Sequence, residues 1–250
     1  IMDNSRLHQE RASLRLIKEK LECKSCDSHN LSHEIWQNQE TMRALNSATF
    51  SKGPYKTGDF IYKMEEQFRS LFIIQSGVIK LEKSLEDGNS HITGFYFPGD
   101  ILGLESAGGK KYNYDAVALD QVWVCEVPYN YFESQDESAR LLKERIITLY
   151  GQKLREADNL ITHGRYLASE QRLLQFLEVL CKRLFSQNLA NARKLKLPMS
   201  KGDIANYLGL RPESVSRALQ KLQSQGVIRN YKNAIEIIDI KVAKKMICKS

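Results

Sequence analysis

The sequence predicts an α+β chain of two unlike parts, a β-rich N-terminal part and a helical, basic C-terminal third, and three observations carry that prediction. From about Phe50 to Pro128, short β-branched and aromatic runs are broken by glycine turns. From Asp136 about thirty residues run without proline, their apolar side chains spaced 3, 4, 3, 4. The charge is also divided along the chain. Net charge is +7, yet from Arg165 onward 17 Lys and Arg face 6 Asp and Glu, while the first 164 residues hold 20 against 24.

A basic end joined to a mildly acidic remainder is the footprint of a module that binds phosphate backbone, attached to one that does not. On charge alone, a solvated lysine-rich surface stays open. A chain of 250 residues with 42% apolar residues buries a good core, as two domains rather than one. No stretch reaches the roughly 18 to 20 uninterrupted apolar residues of a membrane span. Residues 1–20 are charged throughout, without an apolar signal core, so a cytoplasmic protein with no membrane partner is expected. Five cysteines, at 23, 26, 125, 181 and 248, fit a reducing compartment better than a disulfide framework. Enzyme chemistry finds no support: there is no phosphate-binding glycine loop, no HExxH and no nucleophile motif, and "SAGG" at 106–109 is an isolated turn.

Taken in order, residues 1–35 form a polar arm holding the CxxC of Cys23 and Cys26. Residues 36–135 carry "FIYK" after Gly58, "SLFIIQSGVIKLEKS" broken at Gly77, "EDGN", "HITGFYFPGD" and "AVALDQVWVCEV". This is the pattern of an all-β roll or barrel, with Asp87-Gly88 as its clearest hairpin signal. Residues 136–166 are expected as one long helix with a heptad seam of Ile147, Tyr150, Leu154, Ala157 and Ile161. A narrow stripe on a long helix pairs most simply with its own copy in a twofold dimer; packing on the β-roll is the alternative. A further helix is expected from about Ser169 to Phe185, inside a last unit of residues 167–250.

That last unit holds "MSKGDIANYLGLRPESVSRALQKLQSQGVI". Ser200 with Asp203 reads as a capping pair that starts a helix through Tyr207, Gly209 makes the turn, and Pro212 starts a second helix ending before Gly226. Two such helices form a helix-turn-helix. Val215, Ala218, Leu219 and Leu222 share the face that packs on the first helix, while Glu213, Ser216, Arg217 and Gln220 project the other way. In a major groove, Arg217 can donate twice to guanine, Glu213 can accept from cytosine N4, and Ser216 can reach a base or phosphate. Each also has an ordinary structural role open to it, since Glu213 suits a helix N-terminus and Arg217 can pair with it at i+4. Arg211, Ser200 and Lys201 flank the same surface. "VIRNYKNAIEIID" reads as two strands around Lys232 and Asn233, a wing that brings Arg229, Tyr231 and Lys232 near phosphates. The expected partner is therefore double-stranded DNA.

At these residues the chain resembles the CRP/FNR superfamily of bacterial transcription regulators, and specifically its FNR branch, over about residues 20–245. "LGLRPESVSR" is similar to that branch's recognition-helix signature, with Glu213, Ser216 and Arg217 on its glutamate, serine and arginine; Arg211 and Pro212 depart from the commoner residues. "ITGFYFPGDILG" is similar to a segment of the branch's β-roll. The resemblance implies a jelly roll of the cyclic-nucleotide-binding type, a homodimer, and a TTGAT-like half-site read as an inverted repeat.

Cyclic nucleotide binding is not expected: Leu104, Tyr112 and Asn113 stand where the resemblance would require a ribose-binding glutamate and an Arg-Ser phosphate pair, although Glu105, Lys110 and Lys111 lie nearby. In the FNR branch, three arm cysteines and one in the roll hold a 4Fe-4S cluster. Cys23, Cys26 and Cys125 match three of these positions, and Ser32 stands at the remaining one. A cluster with its fourth ligand unassigned, a thiol switch, and cysteines with no metal or redox role all stay open. So does a β-roll that binds a small ligand and carries no cluster.

Overall fold

The computed structural model describes residues 49–85, 88, 90–135, 137–164, 167–184, 194–232, 234–238, 242, 243 and 246. Cys23, Cys26, Ser32 and Cys248, and with them the whole arm, lie outside the described residues, as does Asp87 of the hairpin signal.

Eight strands build the roll: β1 Phe50–Tyr55, β2 Phe60–Tyr62, β3 Ser70–Ser76, β4 Ile79–Ser84, β5 Ser90–Tyr96, β6 Ile101–Leu102, β7 Asp115–Ala118 and β8 Val122–Pro128. They form two four-stranded antiparallel sheets, β1-β8-β3-β6 and β2-β7-β4-β5. Between the sheets lie Phe72, Ile74, Leu102, Val122 and Val124 from the first, against Tyr62, Ile79, Leu81, Ala116 and Ala118 from the second. The run "LFII" inside β3 is continuously apolar because the strand is buried on both faces: Leu71 and Ile73, its outward residues, belong to a second cluster that helix α1 (Glu137–Gly164) covers. Gly77, at φ 84°, separates β3 from β4, and a Cβ there would meet the Gln121 carbonyl oxygen at 2.4 Å. The β4–β5 hairpin pairs Ser84 with Ser90. The run "AVALDQVWVCEV" divides into β7 and β8, which belong to different sheets; Asp120 at the crossing accepts the Val78 N–H at 2.7 Å.

Helix α1 uses two apolar stripes. Ala139 and Leu142 are buried and Ile146 and Leu149 half-buried against the roll, while Ile147, Tyr150, Leu154 and Ala157 stay exposed. Packing on the roll and a free heptad seam therefore coexist on one helix; the side chain of Ile161 lies outside the described residues. Helix α2 (Ser169–Leu184) buries Leu173, Leu174, Phe176, Leu177, Leu180 and Cys181 in a core shared with α3 (Lys201–Tyr207), α4 (Pro212–Ser224) and a three-stranded sheet in which β11 (Ala234–Ile237) lies between β10 (Ile228–Tyr231) and β9 (Lys194–Lys196). Strands β10 Ile228–Tyr231 and β11 Ala234–Ile237 form the expected wing. Strand β9, Lys194–Lys196, was not foreseen, because one apolar residue between two lysines carries no readable period.

Candidate nucleic-acid interface

Local chemistry fixes the helix-turn-helix. Ser200 caps α3 with a full capping box: its Oγ accepts the Asp203 N–H at 3.0 Å, and the Asp203 carboxylate accepts the Ser200 N–H at 3.0 Å. Gly209 takes φ 62° in the turn, and Pro212 opens α4 from an extended Arg211. Val215, Ala218, Leu219 and Leu222 are buried, and Glu213, Arg217 and Gln220 lie exposed on the other face, with Ser216 half-buried beside them. Arg211 and Lys201 are exposed at the two helix starts. Ser200 is exposed as well, but its hydroxyl is committed to the cap. Among the described residues, Glu213 and Arg217 are not ion-paired with each other, so the i+4 pairing open to them is not formed.

The C-terminal half of α4 is anchored rather than presented. Lys221 binds Glu170 of α2 at 2.7 Å, a contact that holds the Glu170 carboxyl below its usual range, and Gln223 accepts the Asn230 N–H of the wing at 3.2 Å. On the exposed face of the wing, Glu236 accepts from Tyr231 Oη at 2.9 Å and sits 3.4 Å from Arg229, while Lys194 of β9 lies 4.3 Å from the Tyr231 ring centre. Arg229 thus has part of its charge answered, whereas Lys232 projects from the turn. Lys194 and Lys196, both exposed, add cations that the sequence reading missed along with their strand.

Tyr62, Phe72 and Tyr112 pack together in the interior of the roll. Tyr112 is buried, stacks on Tyr62 at 4.0 Å between ring centres and donates its hydroxyl to the Ser70 carbonyl at 2.8 Å. Tyr62 Oη donates to the Glu105 carboxylate at 3.0 Å, and burial raises the Glu105 carboxyl above its ordinary range. Asn113 is tied to the same loop through the Ser106 hydroxyl and the Glu105 carbonyl. Lys111 points out of the roll into an ion pair with Glu65 at 2.8 Å.

Cys125 sits on the outer face of β8, level with Ser51 of β1 and Ile73 of β3, in the apolar cluster that α1 covers through Leu142. The ladder between β3 and β8 slips between Ile74 and Ser76, and Gln75 at the slip donates Nε2 to Cys125 Sγ at 2.8 Å while accepting the Ser51 hydroxyl at 3.0 Å. Cys181 is packed in the α2 core, where burial pushes its thiol up to about 11.

Residues 52–137 match the Cyclic nucleotide-binding domain family and residues 171–242 the Crp-like helix-turn-helix domain family. The chain is 31% identical over 219 residues to "Electron transport regulator A" of Shewanella oneidensis, covering 88% of this chain and 87% of that protein. It is also 31% identical over 208 residues to the "Fumarate and nitrate reduction regulatory protein" of Vibrio cholerae, covering 83% of each. The structure of FixK2 from Bradyrhizobium japonicum superposes with a TM-score of 0.68 at 28% identity, covering 81% of this chain and 98% of that one. Roll, long helix and winged helix-turn-helix follow one another here as that likeness requires, and the chain belongs to the CRP/FNR family of DNA-binding transcription regulators, in its FNR branch.

Proposed function

We propose that the chain works in the cytoplasm as a homodimer that reads an inverted repeat of TTGAT-like half-sites and responds to oxygen or redox state through its cysteines. The observation that carries the homodimer is the exposed stripe of α1: Ile147 is 70% and Leu154 55% exposed, on a helix whose neighbouring stripe is buried against the roll. A second copy of α1 buries that stripe and brings two recognition helices to one face of DNA. In this reading Arg217 pairs with guanine, Glu213 with cytosine N4, Ser216 and Gln220 complete the base-facing row, Arg211, Lys201, Arg229 and Lys232 meet the backbone or flanking bases, and Ser200 supports that surface through the α3 cap. The working units are the arm 1–35, the roll 36–135, the dimer helix 136–166 and the DNA-binding domain 167–250, with RNA polymerase as the protein partner. Among the described residues, no helix is long and apolar enough to cross a membrane.

Cys23, Cys26 and Cys125 are the residues that would hold an iron-sulfur cluster. The described part of that site suits the group: Cys125 is buried beneath α1 and receives an amide N–H, the donor that stabilises a sulfur bearing negative charge. A bound cluster supplies an oxygen-labile link between arm and roll. Cys125 would tie such a link to the first turns of α1, where it packs in one cluster with Leu142. In this reading the signal is not a cyclic nucleotide; Tyr112 stacks on Tyr62 within the roll, and Tyr62 is bonded to Glu105.

Anaerobic purification followed by an absorption spectrum and by iron and sulfide analysis tests the sensor. Iron-sulfur absorbance lost in Cys23→Ser, Cys26→Ser and Cys125→Ser, but kept in Cys181→Ser, is the expected result. Colourless protein after anaerobic reconstitution, with DNA affinity indifferent to oxidant, would leave a DNA-binding regulator whose signal is not iron.

A further inference from the structure

The helix-turn-helix does not hang from α2 alone. Its first helix, α3, is seated on β5, the edge strand of the roll's second sheet, and the seating uses the strand's own backbone. Asn206 accepts the Ile92 N–H at 2.8 Å through Oδ1 and donates from Nδ2 to the Ser90 carbonyl at 2.7 Å. These two backbone groups bracket His91 on the outer side of the strand. The carboxamide therefore stands where the peptide groups of a further strand would stand, and answers the unpaired groups that an edge leaves.

Four more contacts across the boundary surround this pair. Lys80 of β4, held by Glu82 at 2.9 Å, reaches Asp203 of α3 at 3.1 Å, and all three side chains are only 17% exposed, so their charges are weakly screened. Phe95 of β5 lies 5.2 Å from Tyr207 of α3 and 5.8 Å from Phe176 of α2, ring centre to ring centre. Arg183 of α2 pairs with Asp100, in the turn between β5 and β6, at 2.8 Å. Asn206 and Lys80 contribute nothing to the apolar core of the unit each belongs to. Their chemistry is used across the boundary between the units.

We propose that Asn206, Lys80 and Phe95 form a clamp that positions the recognition helix. The roll and the helix-turn-helix then turn as one body, and the separation of the two recognition helices in the dimer is set by the edge of the roll as well as by α2. Asn206 is a positioning residue, acting through α3 on α4. This inference rests on the homodimer reading, because spacing between half-sites needs two copies, but the clamp itself is complete within one chain.

Two variants test it from opposite sides. Asn206→Ala removes both hydrogen bonds, and Lys80→Gln removes the ion pair without altering the helix-turn-helix. Amide exchange at Ile92 in the DNA-free, full-length protein reads the clamp directly: it accelerates about tenfold or more in each variant, while Val117 inside the roll keeps its wild-type rate. The second readout is the affinity for an inverted repeat at the preferred spacing, divided by that for the same repeat with one base pair inserted between its halves. That ratio falls about fivefold or more in the variants, with binding to random DNA unchanged, which loss of stability alone would not produce. Wild-type exchange at Ile92 in both variants overturns the clamp; faster exchange with an undiminished spacing ratio overturns its positioning role. If the wild-type protein ignores the inverted repeat, the operator reading fails, and the Ile92 exchange decides the clamp without DNA.

Discussion

Helix α4 and strand β8 carry the two candidate chemistries of this chain, and they are assembled in opposite ways. On α4, one helix supplies every member of the exposed row from Glu213 to Gln220, and the same helix supplies the buried row that holds it in place. Around Cys125 on β8, the neighbours Ser51 and Gln75 come from two other strands and meet only because β1, β8 and β3 lie in register. A surface built within one helix can be altered one side chain at a time, whereas a site built by register depends on every strand that sets it. Changes to the exposed row of α4 should therefore alter DNA reading and leave the fold alone. Changes in the cores and seams should alter both together.

The largest effect is expected at the seam. If the proposed dimer seam holds, Leu154→Glu sets two like charges in an apolar interface at a cost of about 3–5 kcal/mol, and should give a folded monomer with little operator affinity. Light scattering that still finds a dimer would remove α1 from the interface. Next comes the buried row of α4. Leu222 is fully buried, so Leu222→Ala should cost about 2–5 kcal/mol of stability and weaken specific and random DNA binding alike, as followed by chemical denaturation and titration.

Much of the helix-turn-helix could be read from sequence because its signals are short-range: the Ser200 capping box of α3, the turn glycine at φ 62°, a proline at the start of α4, and two rows on α4 separated by helical period. The same reasoning placed the long helix but left its two possible uses open, since a stripe of residues does not say whether it faces the roll or a second chain. The structure assigns Leu142 and Ile146 to the roll and leaves Ile147 and Leu154 exposed. What lay beyond reach depends on pairing between distant segments. The Gln75 contact to Cys125 spans 50 residues, the Asn206 contact to Ile92 spans 114, and the lysines of β9 join the wing through a ladder with β11 and the Lys194 contact to Tyr231. No local period encodes any of these contacts.

A smaller effect sharpens the comparison inside the roll. Burial holds the Glu105 carboxyl above its ordinary value, against the hydrogen bond from Tyr62. A raised carboxyl favours the fold at acid pH, and that contribution is lost as pH rises through the folded-state value. Glu105→Gln should therefore melt close to wild type in acid and above it at neutral pH. Parallel melting curves across that range would mean that Glu105 is not desolvated.

The central claim is that the exposed row of α4 reads bases, and Arg217→Ala tests it most directly by titration against both an inverted-repeat operator and random DNA of equal length. The expected result is a loss of about 1–3 kcal/mol on the operator with random binding nearly intact. Lys232→Ala, from the wing, should instead weaken both alike and flatten the salt dependence. Equal loss on operator and random DNA for Arg217→Ala would contradict the account and reduce Arg217 to a phosphate contact.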